Sequence, residues 1–233
     1  MSVLTFRGGT HPYDGKILSR DAAIEEIKPG EELVFPLSQH IGAPAVPIVE
    51  IGERVLAGQK IAAKSGFISA NIHSSVSGTV IKIEPRTIAT GGKVNSIIIR
   101  NDNLYEQAPP INDKNPDDMT DDEIRTVIEE AGIVGMGGAG FPTNVKLTPK
   151  NPEVIDTIIV NGAECEPYLT SDYRRMLEYT DELVKGLKIV LRLFPGARGV
   201  FGVEDNKPEA IKALKKATSG ENNIEVAVLK TKY

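Results

Sequence analysis

Between Glu31 and about Arg100, apolar and polar positions partly alternate in short runs. These are Glu32-Leu33-Val34-Phe35, Val46-Pro47-Ile48-Val49, Gly78-Thr79-Val80-Ile81-Lys82-Ile83 and Ser96-Ile97-Ile98-Ile99-Arg100. Gly or Pro punctuates them at intervals of roughly ten residues, a pattern that predicts a small all-β module. From Thr120 the period becomes helical. Ile124, Val127, Ile128 and Ala131 form one stripe, with Thr120 and Glu123 spaced as a capping box and Gly132 placed to close the helix. Apolar runs at Asp156–Val160, Gly199–Val203 and Ile224–Leu229 then alternate with amphipathic stretches at Tyr173–Tyr179, Asp181–Phe194 and from Pro208 to about Thr218. Leu183, Val184, Leu187, Val190 and Leu191 mark the inward face of the longest stretch. This alternation predicts βαβαβ with a parallel sheet.

The expected organisation is therefore an α+β multidomain chain. Residues 1–30 read as an N-terminal arm, with a short helix-compatible run at Asp21–Ile27, that packs on something larger. Residues 31–103 form the all-β module, and 104–118 a linker marked by Pro109-Pro110, Asn112-Asp113 and Asn115-Pro116. Residues 119–233 form the α/β domain.

Composition narrows the function classes. The 233 residues are 40% hydrophobic and 25% charged with a net charge of −5, so there is no basic footprint for nucleic acid. The N-terminus has no apolar h-region, and no window approaches the roughly eighteen apolar residues of a membrane-spanning helix. Cys165 is the single cysteine; it excludes an internal disulfide, all but excludes a cysteine-built metal site in this chain, and its structural reading is a small buried apolar residue. A reducing cytosolic compartment fits best. His11, His40 and His73 show no ligand spacing.

Two stretches carry chemistry. Gly135-Met136-Gly137-Gly138-Ala139-Gly140-Phe141-Pro142-Thr143 lets the backbone approach a ligand closely and aim its N–H groups at it, as phosphate and flavin sites require. Asn161-Gly162-Ala163-Glu164-Cys165-Glu166-Pro167 follows a strand, and open parallel sheets bind ligands at the carboxyl ends of their strands. Gly135, Gly137 and Gly140 satisfy G-x-G-x-x-G, but the dinucleotide fingerprint needs a strand before it, and here a helix leads in. A plain glycine-rich turn between two helices, and a solvated loop face for Glu164 and Glu166, are the structural alternatives.

These residues resemble three known families. Ile51–Ile61 and Ile72–Val80 are similar to the half-motifs of a lipoyl- or biotinyl-type barrel-sandwich hybrid. The hairpin tip falls near Gly66-Phe67, where Lys64 is misplaced for a carrier lysine. Gly135–Thr143 with Lys146, followed by Asn161–Pro167, looks like the FMN loop and second motif of the NADH-oxidising flavoprotein subunit of respiratory complex I. With Gly8-Gly9-Thr10-His11-Pro12 and Glu204-Asp205-Asn206-Lys207-Pro208, the chain resembles the RnfC family of Rnf electron-transport complexes over essentially its whole length. The resemblance implies FMN on the backbone amides of Gly135, Gly137, Gly138 and Ala139, with Lys146 near the phosphate or flavin and Asn161 hydrogen-bonded to FMN. It implies that Phe141 stacks on NADH and that Glu164 and Glu166 line the NADH pocket. It further implies electron exchange between NADH, FMN and iron-sulfur clusters in a ferredoxin:NAD oxidoreductase coupled to ion translocation. An iron-sulfur subunit and membrane subunits would be partners, and the place would be the cytoplasmic face of the cell membrane, peripherally bound.

Two departures stand out. Met136 and Ala163 replace an arginine and an aspartate of the complex I pattern, removing two polar contacts. The Gly-Gly-Glu loop, further domain and cysteine-rich cluster motifs of the family do not follow Tyr233, which reads as an N-terminal fragment with an incomplete flavin site. The competing readings are a related soluble flavoprotein such as a cobalamin reductase, a docking scaffold with a vestigial loop, and a lipoate or biotin carrier.

Overall fold

The computed structural model describes residues 3–136 and 138–233; Gly137 of the glycine loop lies outside the described residues. The chain divides into two compact units: Ile27–Lys150, and the segment up to Glu26 together with Asn151–Tyr233.

In the Ile27–Lys150 unit the alternating runs form seven strands: β1 (Glu32–Pro36), β2 (Val46–Pro47), β3 (Arg54–Val55), β4 (Lys60–Ala63), β5 (Ile72–His73), β6 (Gly78–Thr87) and β7 (Lys93–Asn101). One antiparallel sheet has the order β1-β7-β6-β3, and a second the order β2-β4-β5. Phe35, Val55, Ile61, Val76, Val80, Ile97 and Ile99 fill a common core. The expected hairpin tip lies between β4 and β5. The Pro-rich stretch after Asn103 is tied to this unit, since Ala57 pairs in parallel with Gln107 and the Ala108 N–H donates to the Ala57 carbonyl at 2.8 Å.

Helix α1 (Asp121–Glu130) begins at the expected capping box. The Thr120 side chain accepts from the Glu123 N–H while the Glu123 carboxylate accepts from the Thr120 N–H. Its C-terminus is a Schellman turn, with the Gly132 N–H on the Glu129 carbonyl and the Ile133 N–H on the Ile128 carbonyl. The short α2 (Thr143–Lys146) follows the glycine loop.

The other unit is a three-stranded parallel sheet of β8 (Thr157–Gly162), β9 (Arg198–Glu204) and β10 (Ile224–Leu229), in the order β10-β9-β8. Helices α3 (Ser171–Glu178) and α4 (Thr180–Arg192) connect β8 to β9, and α5 (Pro208–Ala217), with Pro208 at its first turn, connects β9 to β10. Val184, Leu187 and Leu191 of α4 are buried, as the helical period predicts. β8 is an edge strand and exposes Ile159, where the sequence suggested a buried strand.

The arm packs on something larger, as expected, and differs from expectation only in its helix. It packs within this unit: Leu4 bridges in parallel to Leu229, and Thr10 exchanges backbone hydrogen bonds with Tyr233. No helix forms over Asp21–Ile27, and among the described residues of the arm the only helical turn is a 3-10 turn at Lys16–Leu18. Seven residues are too few to nucleate a helix unaided, and the Ile24 N–H goes instead to the Glu178 carboxylate, at 3.1 and 3.3 Å. Among the described residues no helix is long and apolar enough to cross a membrane.

Candidate functional site

The glycine loop is tied across its neck, and its second limb is tied further by the Ile41 N–H on the Ala139 carbonyl at 3.0 Å. Val134 and Pro142 form an antiparallel bridge, the Gly135 N–H donates to the Phe141 carbonyl at 2.9 Å, and the Thr143 N–H donates to Ile133 at 2.9 Å. Beyond the neck the chain is open: Met136 is 95% exposed, and Gly138 and Ala139 are exposed as well. Among the described residues, the N–H groups of Met136, Gly138, Ala139 and Gly140 have no acceptor within the protein. Gly138 has a φ of +127°, and a Cβ there would meet no atom within 4 Å. Lys146, at the end of α2, places its amine against Gly135, so that a Cβ on Gly135 would lie 2.9 Å from Nζ. Phe141 is half-buried beside the neck. Unpaired amides, an open glycine and one adjacent cation make an anion cradle, and this donor set fits the phosphate of FMN.

The acid motif is built differently. Asn161 and Gly162 are the last residues of β8, and the Asn161 Oδ1 accepts from the Ala163 N–H at 3.0 Å while the residue itself stays exposed. Glu164 is only 2% exposed. Its Oε2 lies 3.1 Å from Lys16 Nζ and 3.5 Å from Lys207 Nζ, and its Oε1 accepts from the Tyr173 N–H in the first turn of α3 at 3.0 Å. The carboxylate therefore both neutralises two buried cations and caps a helix N-terminus, where the dipole favours negative charge. The Glu164 N–H donates to Glu204 Oε2 at 3.2 Å, and Glu204 is paired in turn with Lys207. Lys16 Nζ completes its donors on the carbonyls of Glu166 (3.0 Å) and Leu169 (2.7 Å).

Burial opposes the charge on Lys16, but the Glu164 carboxylate outweighs it and the ammonium ends above its ordinary range. Asp172 is pushed up, first by burial and then by the Glu164 charge. Glu164 is thus not on a solvated face, whereas Glu166 is exposed. Cys165, expected as a small buried residue, is exposed too: the turn that sends Glu164 inward sends its neighbours out. Beside this cluster, at the carboxyl ends of β8–β10, a cleft of about 320 Å3 is lined by Ala163, Glu204, Leu229, Lys230, Lys232 and Phe6.

Sequence reasoning did not find Lys16 and Lys207. Lys207 follows a polar loop and stands just before Pro208, where it reads as helix-entry surface, and Lys16 lies in the arm without any periodicity. The only signal was the paired acids themselves, whose burial demands cations.

Two family models match the chain: the RnfC barrel sandwich hybrid domain over residues 4–104 and the Nuo51 FMN-binding domain over residues 128–233. The C subunit of the proton-translocating ferredoxin:NAD(+) oxidoreductase complex of Clostridium ljungdahlii is 44% identical over 230 residues, covering 98% of this chain and 50% of that protein. The C subunit of the Na(+)-translocating ferredoxin:NAD(+) oxidoreductase complex of Acetobacterium woodii is 43% identical over 230 residues, covering 98% of this chain and 52% of that protein. A crystal structure of an NAD+-reducing nickel-iron hydrogenase is similar over 49% of this chain and 21% of that chain, at 25% identity and a TM-score of 0.39. The chain spans about half the length of the curated relatives it matches. The chain thus carries an RnfC barrel sandwich hybrid domain followed by a Nuo51 FMN-binding domain, and along its length it is similar to the C subunits of such complexes.

Proposed function

We propose that this chain supplies the FMN- and NADH-binding part of the RnfC-type subunit in an ion-translocating ferredoxin:NAD oxidoreductase. The observation that carries the reading is the open glycine loop, whose amides at Met136, Gly138 and Ala139 are unpaired among the described residues and stand beside Lys146. In this reading Gly135, Gly137, Gly138 and Ala139 cradle FMN, Lys146 offsets its negative charge, and the free amide of Asn161 hydrogen-bonds it. Phe141 stacks on the nicotinamide nucleotide. Glu166 presents its carboxylate to that nucleotide, and Glu164 forms the inner wall by holding residues 164–170 against Lys16. Bound FMN supplies hydride acceptance from NADH and single-electron release. The protein binds, orients and excludes water. Iron-sulfur clusters in the rest of the complex would accept the electrons, and membrane subunits would couple that flow to ion movement at the cytoplasmic face.

Anaerobic titration of the full-length protein with FMN, followed by NADH, tests this. Quenching of flavin fluorescence on binding and bleaching of the visible band by NADH are expected. No flavin binding would overturn the reading and favour a docking scaffold. The same titration on this chain alone tests whether it reduces flavin by itself, and no flavin bleaching is expected there.

A further inference from the structure

Resting on that reading, we propose that the β4–β5 hairpin positions the flavin loop, with His40 as the positioning residue. One limb of the loop rests on this hairpin directly, and the other rests on it through the Gln39–Ile41 segment between β1 and β2. At the first limb, Gly132 lies so close that a Cβ would come within 2.2 Å of the Asn71 carbonyl oxygen. The Asn71 amide also donates to the α1 carbonyls of Glu129 (3.2 Å) and Glu130 (3.4 Å). Two ion pairs, Lys60 with Glu130 and Lys64 with Glu129, fasten the same helix end.

At the second limb, the Ile41 N–H donates to the Ala139 carbonyl at 3.0 Å. A Cβ on Gly140 would come within 3.0 Å of the Gln39 carbonyl oxygen and 3.1 Å of His40 Cα, and its φ of +62° also suits glycine. The Gln39–Ile41 segment that bears this limb is itself fixed through His40. The buried imidazole Nε2 accepts the Ala70 N–H at 3.0 Å and the Ser69 hydroxyl at 3.2 Å, while the Ala43 carbonyl lies 3.1 Å away without a hydrogen between them and the Ala43 N–H donates to the Ile68 carbonyl at 2.9 Å. The backbone fixes the Ala70 hydrogen, so Nε2 is the unprotonated nitrogen. The loop therefore stands on a tripod of Asn71, Gly132 and the His40-braced segment, all facing the hairpin tip.

The test is FMN affinity and the visible circular dichroism of bound flavin, in the full-length protein, for His40→Gln and His40→Leu. Glutamine keeps an acceptor for the Ala70 N–H, and its amide N–H can meet the Ala43 carbonyl, so near wild-type affinity and spectrum are expected. Leucine leaves the Ala70 N–H buried and unpaired; a roughly tenfold weaker FMN affinity and an altered flavin spectrum are expected. Hydrogen exchange of the ligand-free protein should quicken at Ile41, whose N–H holds the Ala139 carbonyl, while β6 and β7 stay protected. If the leucine variant loses that protection, His40→Asn replaces it, since its shorter amide does not reach the hairpin. Wild-type affinity in the leucine and asparagine variants would overturn the proposal, as would a glutamine variant as weak as leucine. A wild-type protein that binds no FMN would instead remove the underlying reading.

Discussion

The two motifs that the sequence offered as one kind of site are physically opposite. Among the described residues, the glycine loop leaves the amides of Met136, Gly138 and Ala139 unpaired and exposed. The Asn161–Pro167 stretch sends Glu164 into the interior, where two lysines, a second carboxylate and a helix terminus consume it. A loop that keeps hydrogen-bonding capacity unspent is available to a ligand, while one that spends it internally holds its surroundings in place. The distinction predicts that substitutions in the first should move binding and those in the second stability.

Glu164→Ala gives the largest expected effect. It strands Lys16 and leaves Lys207 with Glu204 alone, and breaking a buried pair costs about 3–5 kcal/mol. Denaturant unfolding measures it. Glu166→Ala, two residues on and exposed, is expected to change stability by no more than about 0.5 kcal/mol. Equal losses in the two would erase the contrast.

Gly138→Val should abolish flavin binding, because a branched side chain fills the cradle. Its cost to folding is limited to backbone strain of about 1–2 kcal/mol, since no atom lies within 4 Å of the new Cβ. Normal flavin stoichiometry in that variant would remove the loop from the site. Thr120→Ala removes the cap of the helix that leads into the loop, and a loss near 1 kcal/mol in thermal unfolding is expected.

The smallest effect is a pH dependence. The Lys230 ammonium and the Thr231 N–H hold Asp205 down to about 2, from an ordinary 3.8. Because the folded value is depressed, its stabilisation is fully present above about pH 4 and is lost as pH falls through about 2. Asp205→Asn should flatten stability in that window, and an unchanged acid limb would show that the pair contributes nothing.

Much of the fold was legible. Alternation located β1, β6 and β7, the 3.6 period located α1, α4 and α5, and the Thr120–Glu123 spacing fixed a helix start to the residue. These features are local, so a single sequence records them. The arm was not legible, because Leu4, Thr10 and Lys16 take their meaning from Leu229, Tyr233 and Glu164, more than a hundred residues away. The glycine loop announced itself through composition. The fate of Glu164 did not, since an acid before a turn reads the same whether it meets water or a buried lysine. His40 shows a similar gap: without ligand spacing it offered nothing, and its role appears only when Ala70 and Ser69 come beside it.

The split of the chain at Glu26 and Asn151 also sets an order of assembly during synthesis. The Ile27–Lys150 unit is complete in sequence well before the last strand of the other unit, so it can close as soon as it leaves the ribosome. The arm waits meanwhile, at elongation rates of about 5–20 residues per second, for roughly 7–30 s until Lys16 gains Glu164 and about 11–45 s until Leu4 gains Leu229. During that interval its apolar residues, Leu4, Phe6, Tyr13, Ile17 and Leu18, are the exposed surface that a chaperone would meet first.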